Sequence, residues 1–150
     1  MKIHFLRHGQ RDHSFGDVPL NSQGHRQAEM LAQDRQLQNV QTILCSPKKR
    51  ALMTVQPLSQ SLQTQVVCDP GLDQMHSSES EQTFQRRVQN YLKKLEEEPS
   101  LGDILVCSHS DWLTLATSLL AQDNIHIQPQ LFDCAAYKSF SLEDGQWKAI

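Results

Sequence analysis

Two rhythms of apolar positions alternate along this chain, one with the period of a strand and one with the period of a helix. Lys2 to Leu6 reads as a short strand, ended by Gly9, which also lets the backbone approach a ligand closely. Asn21 and Ser22 are good cap residues for a first helix that takes in Ala28, Leu31, Ala32 and Arg35 to Leu37. Thr42 to Cys45 predicts a second, buried strand. Ser46-Pro47 then offers a capping hydroxyl and a first-turn proline to a helix from Lys48 to about Leu62, which Pro57 should break or kink.

A third strand is expected at Val66 to Cys68, followed by a Pro70-Gly71 turn and irregular chain through Ser77. Ser78 and Glu81 match a capping box, and Phe84, Val88, Tyr91, Leu92 and Leu95 recur at helical spacing, so a long helix should run to about Glu97 with Pro99 beyond it. Ile104 to Cys107 predicts the next strand. Trp112 to Leu120, apolar on most faces, predicts a buried helix, and Tyr137 to Leu142 with Trp147 to Ile150 flank Asp144-Gly145 as a hairpin. Strands that alternate with helices imply an α/β fold: a three-layer αβα sandwich with a mostly parallel sheet and a C-terminal antiparallel hairpin. The 150 residues suit one domain spanning 1–150.

Composition narrows the class further. The net charge of −3 is spread without long blocks, which argues against a nucleic-acid or membrane footprint and makes any anion site a local one. No stretch approaches the roughly 20 apolar residues of a membrane span. The apolar run at the N-terminus is too short for a secretory signal, so a cytoplasmic protein is expected. Cys45, Cys68, Cys107 and Cys134 form no CxxC pair and read as buried free thiols.

In open α/β sheets, ligands bind beyond the carboxyl ends of the strands. That rule selects Arg7-His8-Gly9, Ser46 to Arg50 and Ser108-His109-Ser110. Two histidines and two arginines meet there, in outline a phosphate site. Guanidinium forks match phosphate oxygens, a helix start adds positive dipole, a neutral imidazole can attack phosphorus, and a protonated one can stabilise the equatorial oxygens. The blander readings are a helix cap for Ser46, solvated lysines at 48 and 49, a helix start at Asp111 and a core anchor at Trp112. Ser108 or Ser110 is a spare hydroxyl donor. His4, His13, His25, His76 and His126 lack metal-ligand spacing and read as surface or packing residues, with His13 held in reserve because substrate could reach it.

The motifs Leu6-Arg7-His8-Gly9, Pro19-Leu20-Asn21 with Gly24 and Gln27-Ala28, Ser46-Pro47 with Arg50-Ala51 and Thr54, and Ser108-His109 together resemble the histidine phosphatase superfamily. The resemblance runs from residue 3 to about residue 120, and the ending Asp144-Gly145-Gln146-Trp147 is similar to the family's closing hairpin. It implies that His8 is the phosphorylated nucleophile, Arg7 and Arg50 are phosphate clamps, and His109 is the second phosphate-binding histidine. No metal or other cofactor is implied. Many members carry a proton-donating glutamate in a Leu-x-Glu segment. Here Leu72-Asp73-Gln74 has glutamine at that place, which leaves Asp73 as the nearest substitute, with Glu79 and His13 after it.

The resemblance implies a metal-independent phosphatase acting on phosphomonoesters or on phosphohistidine, with a phosphorylated small molecule or a phosphohistidine protein as partner. In size the chain is similar to the small bacterial phosphohistidine phosphatases, while Ser78-Glu79-Ser80 is similar to the helix start of the mutase-like branch. Two alternatives follow: phosphoglycerate mutase-like transfer, which the short segment between Asp73 and Ser78 disfavours, and a catalytically weak domain that binds phosphorylated ligands.

Overall fold

The computed structural model describes residues 1–97 and 102–150. The element order is β1 (Lys2–Arg7), α1 (Ser22–Ala32), β2 (Val40–Cys45), α2 (Lys49–Leu62), β3 (Val66–Cys68), α3 (Glu81–Glu97), β4 (Asp103–Ser108), α4 (Ser110–Asp123), β5 (Tyr137–Glu143) and β6 (Gln146–Ala149), with short 3-10 turns at Arg35–Leu37 and Pro70–Leu72. The expectation of Pro99 beyond α3 falls outside the described residues.

The six strands form one sheet in the order β3-β2-β4-β1-β5-β6. The first four are mutually parallel, β5 runs antiparallel to β1, and β6 antiparallel to β5. Strand alternation sends side chains to opposite faces of this sheet. Ile3, Phe5, Leu44, Ile104 and Val106 pack against α3, α4 and the hairpin. Leu6, Ile43, Cys45, Leu105 and Cys107 pack against α1 and α2. Three layers result, as the alternation of elements implies. Trp112 is fully buried at the centre of the first layer contact, edge-on to Phe5 and Tyr91. Truncating a core aromatic of this kind costs about 3–5 kcal/mol. The hairpin turns at Asp144 and Gly145, both at positive φ, the geometry that a two-residue turn demands.

Several local expectations are corrected. The first helix ends at Ala32 and does not include Arg35 to Leu37. Asp34 accepts from the Gln36 N–H and starts a separate 3-10 turn, and its other oxygen accepts from the Tyr137 hydroxyl. The second helix runs through Pro57 without interruption, because Val55 and Leu58 on either side are buried and oppose the lost hydrogen bond. Its cap position is Lys48, with no side-chain cap. The third helix starts two residues later than the Ser78 capping box would have it: Ser80 Oγ accepts from the Thr83 N–H and the Ser80 carbonyl from the Phe84 N–H. Cys45 and Cys107 are buried free thiols as expected, but Cys68 on the edge strand is exposed and Cys134 half-buried. No described helix is long and apolar enough to cross a membrane.

Candidate active site

Parallel register assembles the site. β1 pairs β4 with Arg7 opposite Ser108, and the His8 N–H continues the ladder onto the Ser108 carbonyl, so His8 and His109 leave adjacent strand ends side by side. Their ring centroids lie 5.1 Å apart. β2 pairs β4 with Cys45 opposite Cys107, which brings Ser46 to the same edge. From the end of β2 the chain enters α2, whose first turn places Arg50 between the two histidines.

The loop that carries His8 is gripped from both sides. The Gly9 N–H donates to Thr54 Oγ1 at 2.8 Å, and Thr54 Oγ1 in turn donates to the Arg50 carbonyl at 2.6 Å. The Gln10 N–H donates to Gln27 Oε1 of α1. A Cβ on Gly24 of α1 would collide with the Gln10 carbonyl, so this close approach requires glycine there. These contacts give Thr54, Gln27 and Gly24 a physical reason to accompany the Arg-His-Gly run.

His8 Nδ1 lies 2.8 Å from the Gly9 carbonyl, which can only accept, so Nδ1 carries the proton and Nε2 presents its lone pair. Arg50 Nε points at that Nε2 from 3.3 Å. Burial first, then Arg50 and Arg7, push the His8 imidazole down to about 4, so it is neutral near pH 7 and able to act as a nucleophile. Arg7 donates through Nη1 to the Phe132 carbonyl at 2.7 Å, while its Nε is buried with no partner among the described residues. An orphaned guanidinium N–H beside a neutral imidazole is the donor an oxyanion would satisfy.

Arg50 is 2% exposed, an extreme burial for an arginine, and burial lowers its affinity for its proton. Its Nη2 donates to Gln74 Oε1 at 2.6 Å and lies 3.4 Å from His109 Nδ1. His109 sits at the cap position of α4 without a side-chain cap bond; its Nε2 is 2.7 Å from Ser46 Oγ. Ser46 therefore serves the second histidine before it serves a helix. The α2 N-terminus is met instead by Asp17, whose carboxylate accepts from the Lys49 N–H. Burial, followed by His8, Arg50 and Lys48, pushes the His109 imidazole down to about 2.

Asp73 is buried at the rim. Its Oδ1 is 3.6 Å from His109 Nε2 and its Oδ2 is 3.1 Å from His76 Nε2 and 3.6 Å from Lys48 Nζ. Gln74 and Asp73 are hung on Arg87 of α3, which donates to the carbonyls of Gly71, Asp73 and Gln74 and to both oxygens of Glu79. That pairing holds the Glu79 carboxyl down to about 2. Ser108 Oγ donates to the Leu72 carbonyl and so is spent on the fold. Asp111 accepts from the N–H groups of Trp112 and Met75, and Trp112 Nε1 donates to the Gly71 carbonyl, which ties the rim to α4.

Sequence reasoning missed Arg87 and His76. Arg87 lies on the polar side of a helix that any amphipathic pattern would assign to solvent, and its partners are backbone carbonyls, which leave no trace in the sequence. His13 lies in an exposed loop and makes none of these contacts.

Two histidines held well below their ordinary pKa, the buried Arg50 and the half-buried Arg7 stand together at the parallel strand ends of this α/β sheet. The model of the histidine phosphatase superfamily (branch 1) matches residues 3–81 and 73–150, and this chain belongs to that superfamily. No curated protein matches it by sequence. Among solved structures it is similar in fold to an alpha-ribazole-5'-P phosphatase from Escherichia coli described as putative, at 21% identity and TM-score 0.85 over 100% of this chain and 95% of that one. The protein histidine phosphatase SixA complexed with tungstate is similar at 23% identity and TM-score 0.75, over 100% and 94%. A phosphoserine phosphatase from Entamoeba histolytica in complex with 3-phosphoglyceric acid is similar at 18% identity and TM-score 0.79, over 99% and 94%.

Proposed function

We propose that this chain is a metal-independent phosphatase that transfers a phosphoryl group to His8 Nε2 and then to water. The observation that carries this reading is the state of His8: neutral, with Nδ1 fixed on the Gly9 carbonyl and the Nε2 lone pair turned to Arg50 Nε at 3.3 Å. In the first step Nε2 attacks phosphorus and the bond to the leaving group breaks, its electron pair departing with that group. Water then attacks the phosphohistidine, inorganic phosphate leaves, and Nε2 recovers its lone pair. Arg7, Arg50 and His109 face the phosphoryl oxygens and supply the positive charge that a metal supplies elsewhere.

Substrate preference follows from Gln74. An amide occupies the place where the resemblance implies a proton-donating glutamate, and its oxygen accepts from Arg50. An amide has no acid proton to give an alkoxide, a service worth about 10² to 10⁴ in rate. Phosphohistidine and aryl phosphates leave without that help, and the similarity to SixA fits a phosphohistidine protein as substrate.

Rapid quenching with an aryl phosphate should trap about one acid-labile phosphate per chain. His8→Ala should abolish both the trapped phosphate and turnover, and EDTA should change neither. Turnover by His8→Ala at a tenth of the parent rate would remove His8 as nucleophile.

A further inference from the structure

The imidazole of His109 has two edges, and the structure gives them different company. Nδ1 faces Arg50 Nη2 at 3.4 Å, on the side where Arg50 also reaches His8 Nε2. Nε2 faces Ser46 Oγ at 2.7 Å and Asp73 Oδ1 at 3.6 Å. Asp73 therefore stands behind the ring, with His109 between its carboxylate and the phosphoryl site. We propose that Asp73 is a positioning residue for His109, the counter-charge that lets the ring carry a second proton when phosphate arrives at Nδ1. This rests on the reading of the site as a phosphate site, and changes what Asp73 does in it.

Hydrogen-bond inventory supplies the reason. A guanidinium can only donate, so beside Arg50 Nη2 the Nδ1 is an acceptor and the single ring proton sits on Nε2. An ionised phosphate oxygen brings only lone pairs. It approaches Nδ1 favourably when that nitrogen gains a proton, which makes the ring an imidazolium.

The charged groups around the ring are Arg7 at the end of β1 with His8 just beyond it, Lys48 and Arg50 at the start of α2, and Asp73 from the turn after β3; Asp111 lies in the first turn of α4 itself. The first four are cationic or neutral and oppose a positive ring; they are the reason, with burial, that the empty-site imidazole is pushed so low. A bound phosphate cancels them from the front. From the rear, Asp111 is committed to the backbone N–H groups of Trp112 and Met75, which leaves Asp73 as the carboxylate aimed at the ring.

Asp73 is held for that task. Its Oδ1 accepts from the Gln74 N–H at 2.8 Å, its Oδ2 from His76 at 3.1 Å, and Lys48 Nζ lies 3.6 Å away. Arg87 fixes the Asp73 carbonyl at 2.8 Å. Every one of these partners asks the carboxylate to accept. A leaving-group acid would need an oxygen left over for the leaving group, and both Asp73 oxygens are already engaged.

The test uses orthophosphate as ligand, histidine NMR, and the variant Asp73→Asn, which removes the charge and keeps the shape. In the parent protein His109 should be neutral when empty and gain a proton as orthophosphate binds. In Asp73→Asn, orthophosphate affinity at pH 7 should fall about tenfold, the worth of one pKa unit, and the alkaline limb of kcat/KM should move about one unit lower. The rates on p-nitrophenyl phosphate and glycerol phosphate should fall together, within about threefold of each other.

A loss of about 10² or more on glycerol phosphate with p-nitrophenyl phosphate spared would make Asp73 the leaving-group acid and overturn the proposal. So would an unchanged affinity and pH profile. If the variant does not fold, the NMR titration of the parent protein decides: orthophosphate bound beside a His109 that stays neutral refutes the role of Asp73 while leaving the phosphatase intact. Failure of the parent protein to bind orthophosphate or to cleave any phosphate ester would refute the phosphatase reading instead.

Discussion

The nucleophile side of the site and its rim differ in what fixes their atoms. On the nucleophile side, His8 extends a strand ladder, its loop is bonded through backbone N–H groups to Thr54 and Gln27, and Arg50 sits in the first turn of a helix packed on the same sheet. The rim, from Asp73 to Glu79, has no ladder. It hangs on the side chain of Arg87, which reaches across from α3 to two of its carbonyls and one carboxylate. The residues at the strand ends are fixed by the sheet, and those of the rim by one side chain. The second can change while the first stays.

Replacing Arg50 by lysine tests the rigid side hardest. A guanidinium fork reaches His8 Nε2, His109 Nδ1 and Gln74 Oε1 at once, and a single ammonium cannot. The expected loss in kcat/KM on p-nitrophenyl phosphate is about 10². A loss under threefold would mean that Arg50 contributes only charge.

A smaller effect of opposite sign is expected at the rim. Gln74→Glu restores a carboxyl beside Arg50 and should raise the rate on glycerol phosphate about tenfold, the low end of what a general acid contributes once its ion pair with Arg50 is allowed for. The rate on p-nitrophenyl phosphate should hold. Equal change on both substrates would show that residue 74 does not reach the leaving group.

The smallest effect separates the two regions by acid stability. His8 and His109 are held below 6.5 in the folded chain, so between 6.5 and about 4 the unfolded chain binds more protons, and stability falls as pH falls through that window. His109 continues the loss toward about 2. Glu79 is shifted in the same direction: its contribution is present above 4.5 and is lost as pH falls toward about 2. A thermal scan from pH 7 to 4.5 should therefore show Tm declining, and the decline should be reduced in His8→Ala. An equal slope in that variant would place the acid sensitivity elsewhere.

The strand-end motifs were legible because each concentrates its chemistry within a few residues, and the sheet rule says where those residues go. Arg7, His8, Arg50 and His109 stand together as that rule implies. What misled were signals that have two uses. Ser46 looks like a cap and bonds His109; Ser78 looks like the start of a capping box, and Ser80 holds the helix end; Cys68 looks buried, and its strand is the sheet edge.

By itself the sequence determined the alternation of strands and helices, the position of Arg7, His8, Arg50 and His109 along it, and the place of glutamine at 74, since each of these is a matter of periodicity or of residue type at short spacing. Only the tertiary structure decided the tautomer of His8, the burial of Arg50, the span of Arg87 across to the rim, and the side of His109 on which Asp73 stands. These depend on which groups meet across elements far apart in the chain. Desolvation and hydrogen-bond direction act through those meetings in space, which spacing along the sequence does not encode.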